Sequence, residues 1–223
     1  MFYWDWGGAE RDLARATELD PSSAMAHFWY SFFLMSMTRH DEAIAEIQRA
    51  LELDPLSPLV NTALWLTLFY AHQYGESITQ LEKTLEVDAN YMPAHLFLGY
   101  SYALKGMYAE AISECHKGRD LSPTDPLTLT MLGYVYALSG NRSEASKVLE
   151  QLKAQSRRVY VNPVYVAWIY AALRENGGAF EWLNKGYQER SSQMCAVKTE
   201  IALDNLRTDP RYQELLRRMR FPD

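Results

Sequence analysis

Histidine, cysteine and the carboxylates are the side chains that most often hold metals or react with substrates, and this sequence scatters them. Metal and nucleophilic sites need several such groups at short, regular spacings. No two of the five histidines stand four residues apart, and none belongs to a Cys or carboxylate cluster with ligand spacing. They are His27, His40, His72, His95 and His116. We therefore predict structural roles for the histidines and no metal site.

The cysteines and carboxylates lead to the same expectation. Cys115 and Cys195 are too far apart in the sequence to form a metal pair at ligand spacing, and two cysteines do not make a disulfide framework. Pairs of carboxylates occur at 110 and 114 and around 41–46, among alternating polar residues typical of a solvated helix face. The sequence contains no phosphate-binding glycine loop, nucleophile elbow or zincin helix. We predict no catalytic residues, no cofactor and no enzyme activity.

A strict period organises the chain instead. Small residues recur every 34 positions, and each is followed four positions later by Leu, Ile or Cys. The small residues are Ala9, Ala43, Ser77, Ala111, Ala145 and Ala179. This period predicts one helical unit copied along the chain.

The best preserved copy is HLFLGYSYALKGMYAEAISECHKGRDLSP, which contains Gly99, Tyr102, Ala111 and Pro123. In this pattern the sequence resembles the tetratricopeptide repeat, over about 190 of its 223 residues. The resemblance implies an all-α fold, a right-handed α-solenoid (superhelix) of antiparallel helix pairs. About five full repeats would follow an N-terminal half repeat and precede a C-terminal capping helix.

The register predicts a single solenoid domain, since no linker interrupts it. We divide it into a half repeat at 1–23, repeats at 24–57, 58–91, 92–125, 126–159 and 160–193, and a cap at 194–223. Four helix starts combine a capping side chain with proline at the first helical position. They are Ser57-Pro58, Asp125-Pro126, Asn162-Pro163 and Asp209-Pro210.

The half repeat lacks its first helix, so Leu13 is expected to be partly bare. Either the sequence is a piece of a longer protein, which we favour because solenoids need finished ends, or the aromatic residues Phe2, Tyr3, Trp4 and Trp6 fold back as a lid. A third expectation is a homodimer formed through this half repeat.

Charge is segregated between the helices of each pair, because the first helices contain no Asp, Glu, Lys or Arg. One stripe of each first helix packs on its partner, and the opposite stripe would line the concave face. We predict that this stripe forms an apolar, aromatic-lined groove for a protein or peptide partner. Its residues are Phe28, Phe32, Met35, Leu66, Phe69, Tyr70, Leu96, Tyr100, Leu104, Tyr134, Leu138 and Trp168. The alternative is that neighbouring helices simply bury the stripe.

Charge and hydropathy exclude other partners. A net charge of −6 disfavours nucleic acid, and no uncharged run is long enough to span a membrane. The Lys and Asn residues with which tetratricopeptide co-chaperones hold a terminal carboxylate are absent from the stripe, which disfavours capture of an acidic tail. We expect a cytoplasmic location, and the alternative is a parent protein anchored in a membrane.

A closer resemblance is carried by YWDWGGAERDLARATELDP, AFEWLNKGYQERS and, most specifically, LRTDPRYQELLRRMRFP. These segments are similar to the C-terminal repeat tract of bacterial winged-helix transcriptional regulators and Ser/Thr protein kinases. The resemblance implies a non-catalytic interaction scaffold that regulates a larger signalling protein. The alternatives are a sensor for a small apolar molecule that controls an attached domain, and a self-association module.

Overall fold

Paired helices make up most of the chain in the computed structural model, which describes residues 4–221. The α-helices of this range are α1 Trp6–Leu19, α2 Ala24–Ser36, α3 His40–Leu53, α4 Pro58–Tyr70, α5 Tyr74–Val87, α6 Met92–Leu104, α7 Tyr108–Leu121, α8 Pro126–Leu138, α9 Arg142–Gln155, α10 Pro163–Ala172, α11 Asn176–Glu189 and α12 Pro210–Arg218. Two 3₁₀ helices, Ser192–Ala196 and Ile201–Leu206, lie between α11 and α12. The predicted all-helical solenoid is confirmed.

Close approach of the two helices of a pair depends on small residues. A Cβ atom added to Gly99 of α6 would lie 2.6 Å from Cys115 Sγ and 2.9 Å from the Ala111 carbonyl oxygen of α7. Real Cβ atoms do not come this close, so only glycine fits there. The periodic residues Ala43, Ala111 and Ala145 are fully buried in the same way in their own pairs. The 34-residue pattern therefore records the seam between the two helices of each unit.

The helix ends follow the predicted capping chemistry. The side chains of Ser57, Asp125, Asn162 and Asp209 each accept a hydrogen bond from a backbone N–H in the first turn of the helix that follows, and each helix has proline at its start. Asn141 caps α9 in a similar way, with Oδ1 accepting a hydrogen bond from the Glu144 amide at 3.3 Å.

The first helices α2, α4, α6, α8 and α10 carry no charged side chain and contribute most of the buried residues. The largest fully buried side chains include Trp65, Phe33 and Phe69. None of the helices within residues 4–221 combines the length and the apolar character needed to cross a lipid bilayer.

The chain turns back after α11. We call residues 191–206 the crossing segment, because they run from the end of α11 over α10 and onto the first helices of earlier repeats. Met194, Val197, Leu203 and Leu206 of this segment are completely buried. The segment is therefore part of the core and not a loose tail.

The two ends of the described chain meet. Trp6 Nε1 donates a hydrogen bond to the Met219 carbonyl oxygen at 2.9 Å, and the Trp6 ring stacks on Phe221 at a centroid distance of 4.5 Å. Trp4 stacks on Tyr187 of α11 at 6.0 Å. Trp6 is the first residue of α1, and Phe2 and Tyr3 lie outside the described residues, so a lid over Leu13 stays a prediction. A homodimer through the half repeat stays a prediction, and the Trp4 and Trp6 rings are already occupied within the chain.

Candidate functional site

Aromatic side chains from successive first helices meet on one face of the solenoid. Tyr100 of α6 lies 4.9 Å from Phe69, 5.3 Å from Tyr134 and 6.4 Å from Trp168, measured between ring centroids. Together with Tyr70 these rings form what we call the aromatic wall. Because the helices α4, α6, α8 and α10 carry no charge, the wall presents only rings and phenolic hydroxyls.

One carboxyl group sits against this wall. Glu200 of the crossing segment is 2% exposed and accepts hydrogen bonds from the Tyr70 hydroxyl at 2.6 Å and the Tyr100 hydroxyl at 2.8 Å. The backbone amide of Ala202 donates a third bond at 3.0 Å. Burial raises the pKa of Glu200, and these three donors oppose that rise. Burial and the nearby Glu200 raise the pKa of Tyr70 and Tyr100 as well.

Further polar contacts fix the rest of the crossing segment. Gln193 donates from Nε2 to the Tyr165 hydroxyl at 2.9 Å, and the Ser191 hydroxyl donates to Asn162 Oδ1 at 2.7 Å. Asn205 donates to the Ala171 carbonyl oxygen at 3.0 Å. The segment is held along its length by α10 and at its middle by α4 and α6.

The expectation of an open groove is wrong for most of the predicted residues, because they are buried within the folded chain, some under the crossing segment and some between helices. Those that are buried are Phe28, Met35, Phe69, Tyr70, Leu96, Tyr100, Tyr134 and Trp168. Those that are half-buried are Phe32, Leu66, Leu104 and Leu138. Leu96 lies in the seam with α7, where its Cδ2 is 2.5 Å from the position that a Cβ of Gly118 would take. A partner-binding role for these residues stays a prediction.

One end of the predicted groove remains open. A cavity of about 470 Å³ lies between α2 and the start of the crossing segment. We call it the aromatic cavity, and its lining is Trp4, Phe28, Trp29, Phe32, Arg190, Ser191, Ser192, Gln193 and Cys195. Trp29 is 48% exposed and makes edge contacts with Phe28 and Phe32. The stripe spacing omits Trp29, although its position in the sequence between the predicted groove residues Phe28 and Phe32 is a usable signal.

The histidines His27 and His95 join the two helices of their pairs. His27 Nδ1 lies 2.6 Å from Glu46 Oε2, and His95 Nδ1 lies 2.7 Å from Glu114 Oε2. Glu46 and Glu114 are thus partners of buried histidines, not merely members of a solvated face. These contacts give His27 and His95 structural roles, as predicted.

The cysteines are buried in apolar surroundings. Burial raises the pKa of Cys115 to about 12 and that of Cys195 to about 11, which disfavours the reactive thiolate. In the part of the chain that the structure describes, no three His, Cys, Asp or Glu side chains converge as metal ligands would.

Sequence comparison now identifies the repeat. A sequence model of the tetratricopeptide repeat matches residues 5–58 and 62–126, which is more than half of the chain. The chain belongs to the tetratricopeptide repeat family. No curated protein matches it over its sequence.

Solved structures share the tetratricopeptide fold at low sequence identity. A thermophilic tetratricopeptide protein of Thermus thermophilus superposes with a TM-score of 0.62 and 20% identity, covering 81% of this chain and 99% of that one. The type IV pilus biogenesis factor PilW gives a TM-score of 0.60 and 19% identity, covering 87% and 90%. A Parabacteroides merdae tetratricopeptide protein gives 0.59 and 14%, covering 96% and 92%. At these identities the likeness concerns the fold alone.

Proposed function

We propose that this chain is a non-catalytic protein-interaction scaffold whose partner inserts apolar side chains into the aromatic cavity. The family and the uncharged inner helices support a binding role. The observation that carries the proposal is the cavity itself, where Trp29 is exposed and Phe32 half-buried beside the buried Phe28, while the crossing segment covers the aromatic wall.

The chemistry of the cavity favours an aromatic or branched aliphatic side chain. Its rings offer apolar area and edge-to-face contacts, and transfer of a large apolar side chain from water contributes about 1.5–3 kcal/mol. Among the polar lining residues Ser192 is exposed, whereas the Ser191 hydroxyl and the Gln193 amide are already bonded to Asn162 and Tyr165. The cavity therefore favours an apolar side chain over a hydrogen-bonded backbone segment.

Site-specific cross-linking tests this proposal. A photoreactive phenylalanine analogue is placed at position 29 and, as the control, at Leu56, which is 88% exposed in the turn between α3 and α4. We expect a discrete cross-linked protein from position 29 that is absent from position 56. The same bands from both positions would contradict a partner site at the cavity.

A variant then assigns the partner to the rings. Trp29→Ala removes an exposed ring and should leave the fold intact, while it reduces capture of the cross-linked partner at least tenfold. A hot-spot aromatic residue contributes about 2 kcal/mol or more to binding, which supports that magnitude. Undiminished capture by the variant would contradict the assignment.

A second candidate function is a sensor for a small apolar molecule. Its support is the volume of about 470 Å³, which lies within the roughly 300–1,000 Å³ of small-molecule sites. A ligand that binds only the folded state raises the melting temperature. A thermal-shift screen of small aromatic compounds distinguishes the two functions. A sensor should be stabilised by at least one compound, and Trp29→Ala should abolish that stabilisation. A scaffold should show no such compound.

The wider context is also part of the proposal. We place the tract in a bacterial signalling protein that carries a winged-helix or Ser/Thr kinase domain, supported by the resemblance of the ending LRTDPRYQELLRRMRFP. We place it in the cytoplasm, because the two cysteines are unpaired. Reading the gene on both sides of this sequence tests the first point, and finding neither domain there would contradict it.

A further inference from the structure

Several residues that line the aromatic cavity have polar side chains, yet the surface that the lining presents to the cavity is almost wholly apolar. Two of these residues, Ser191 and Gln193, belong to the crossing segment. Their side chains bond to residues outside the cavity, and those residues lie at the start of α10. The apolar character of the cavity therefore depends on side chains that do not line it.

Gln193 is held by Tyr165, a residue of α10. Gln193 Nε2 donates to the Tyr165 hydroxyl at 2.9 Å, and both side chains are half-buried. Burial raises the pKa of Tyr165 to about 12, although the bond from Gln193 opposes that rise, so the hydroxyl stays neutral at physiological pH. The Tyr165 ring also contacts Trp168 of the aromatic wall at a centroid distance of 5.1 Å. The Gln193 amide thus has a partner that is itself fixed by packing.

Ser191 is held in a similar way. Its hydroxyl donates to Asn162 Oδ1 at 2.7 Å, and the same oxygen accepts from the Val164 amide in the first turn of α10. Ser191 and Asn162 are both buried. The Cys195 thiol, which also lines the cavity, donates to the Ser192 carbonyl oxygen at 2.9 Å. These polar groups are already bonded and offer little to a ligand.

The two remaining polar lining residues, Arg190 and Ser192, are exposed. Arg190 also already takes part in an interaction. Exposed side chains of this kind keep their polar ends in water while an apolar group is buried beside them. A polar atom that a ligand carried into the cavity would therefore lose its water without gaining a protein partner, which is unfavourable.

We propose that the aromatic cavity selects side chains without polar atoms, and that Tyr165 sets this selectivity from outside by occupying the Gln193 amide. The occupant is then a phenylalanine, leucine or isoleucine side chain of the partner, and tyrosine is rejected. This selectivity rests on the proposed binding function of the cavity and narrows the group that the partner inserts. Tyr165 is a positioning residue, because it contacts Gln193 and not the ligand.

Disulfide tethering measures this selectivity without the partner. Ser192→Cys places a thiol at the exposed edge of the cavity, and the protein is equilibrated with equal amounts of two disulfides, one of 2-phenylethanethiol and one of its 4-hydroxyphenyl analogue. Mass spectrometry gives the ratio of the two protein adducts. The reference is Leu56→Cys, at a position that is 88% exposed, and the wild type with its two buried cysteines gives the background.

The phenyl adduct at position 192 should exceed the hydroxyphenyl adduct at least about fivefold relative to the reference, because a buried hydroxyl without a partner is costly. Equal ratios at positions 192 and 56 would overturn the selectivity. The cross-linking result at position 29 does not depend on this ratio. Failure of the selectivity and failure of the proposed function are therefore distinguishable.

A variant in the Ser192→Cys background tests the role of Tyr165. Tyr165→Phe removes one oxygen and frees the Gln193 amide to donate to the hydroxyphenyl group, so the phenyl excess should fall about threefold at an unchanged total yield of adducts. Ser191→Ala is the matched control, because it removes a lining hydroxyl without freeing a donor, and it should keep the excess. A phenyl excess that is the same in Tyr165→Phe as in Ser191→Ala would overturn the role of Tyr165.

Discussion

The Tyr70 hydroxyl donates a hydrogen bond to Glu200 at 2.6 Å although the two residues are 130 positions apart in the chain. Tyr100 donates to the other oxygen of the same carboxyl group at 2.8 Å. These contacts fix the middle of the crossing segment to the aromatic wall. A single buried acidic side chain thus links the C-terminal part of the chain to the second and third helix pairs.

Glu200 should make the stability of the protein depend on pH. Its pKa is raised above the ordinary value of 4.5 because the carboxyl group is buried. A raised carboxyl pKa means that the folded state binds the proton more tightly than the unfolded state. The stabilising contribution is therefore complete below pH 4.5 and is lost as pH rises through the folded-state pKa. Glu200→Gln removes this dependence and should be more stable than the wild type at neutral pH.

Urea unfolding of both proteins at several pH values measures this difference, since other carboxyl groups contribute equally to each. If the difference in free energy of unfolding between Glu200→Gln and the wild type does not grow as pH rises, the pKa of Glu200 is not raised. Glu200→Leu is the companion variant, because it leaves two tyrosine hydroxyls without an acceptor. Its stability should fall by about 1–3 kcal/mol at neutral pH.

At positions with positive φ, substitution to or from glycine should change the free energy of unfolding. Arg174 has φ 63° and Gly106 has φ 76°, at equivalent positions of their repeats. Arg174→Gly should raise the free energy of unfolding by up to about 1 kcal/mol, and Gly106→Ala should lower it by about 1 kcal/mol. Open space around a Cβ at Gly106 excludes a steric cause for the second effect. Equal urea midpoints for all three proteins would show that these turns relax without strain.

The buried His95–Glu114 contact between α6 and α7 should be replaceable by an Asn–Gln contact, which is the pair found at the equivalent positions of α4 and α5. Gln80 donates to Asn61 at 2.9 Å, and Asn61 donates to the Pro55 carbonyl oxygen at 3.0 Å. His95 makes the equivalent contacts to Glu114 and to the Ala89 carbonyl oxygen. The double variant His95→Asn, Glu114→Gln should therefore stay within about 1 kcal/mol of the wild type.

Glu114→Leu alone should lose about 1–3 kcal/mol, because His95 Nδ1 is then buried without a hydrogen-bond partner. Glu114 also pairs with Lys117, which is 55% exposed, and Lys117→Ala is the control for that weak surface contact. If the double variant is as unstable as the single one, the two pairs are not equivalent.

Closure between the chain ends should depend on Trp6. Trp6→Phe keeps a ring on Phe221 but removes the N–H that bonds the Met219 carbonyl oxygen, which should cost about 1 kcal/mol. Trp29→Phe, at a half-exposed ring, is the matched control and should change stability little. Chemical unfolding of the two variants checks this. Identical stabilities would indicate that the ends do not meet in solution.

Local and periodic signals in the sequence predicted much of this fold. The 34-residue spacing records helix seams, as Gly99 against Cys115 demonstrates, and the Ser57 and Asp125 caps depend only on adjacent residues. These features follow from interactions within one repeat. They are therefore visible in a single sequence.

The path of the crossing segment could not be predicted in the same way. Residues 191–206 have no helical period, and Glu200 finds its partners 100 and 130 positions away. The uncharged stripe of the first helices indicates an apolar surface that is buried by some other segment, but it does not identify that segment. Leu96 packs against Gly118 of α7 and does not line the groove, because a stripe defined by spacing alone does not distinguish the groove from the seam between α6 and α7.

Hydrogen exchange measures whether the crossing segment covers the aromatic wall in solution. The Ala202 amide donates to the buried Glu200, and the Val197 and Leu203 amides bond within the segment. We predict that peptides spanning 194–206 exchange as slowly as those of α8 and α10. Exchange of that segment as fast as in an unstructured peptide, with α8 and α10 still protected, would show that the segment does not cover the wall.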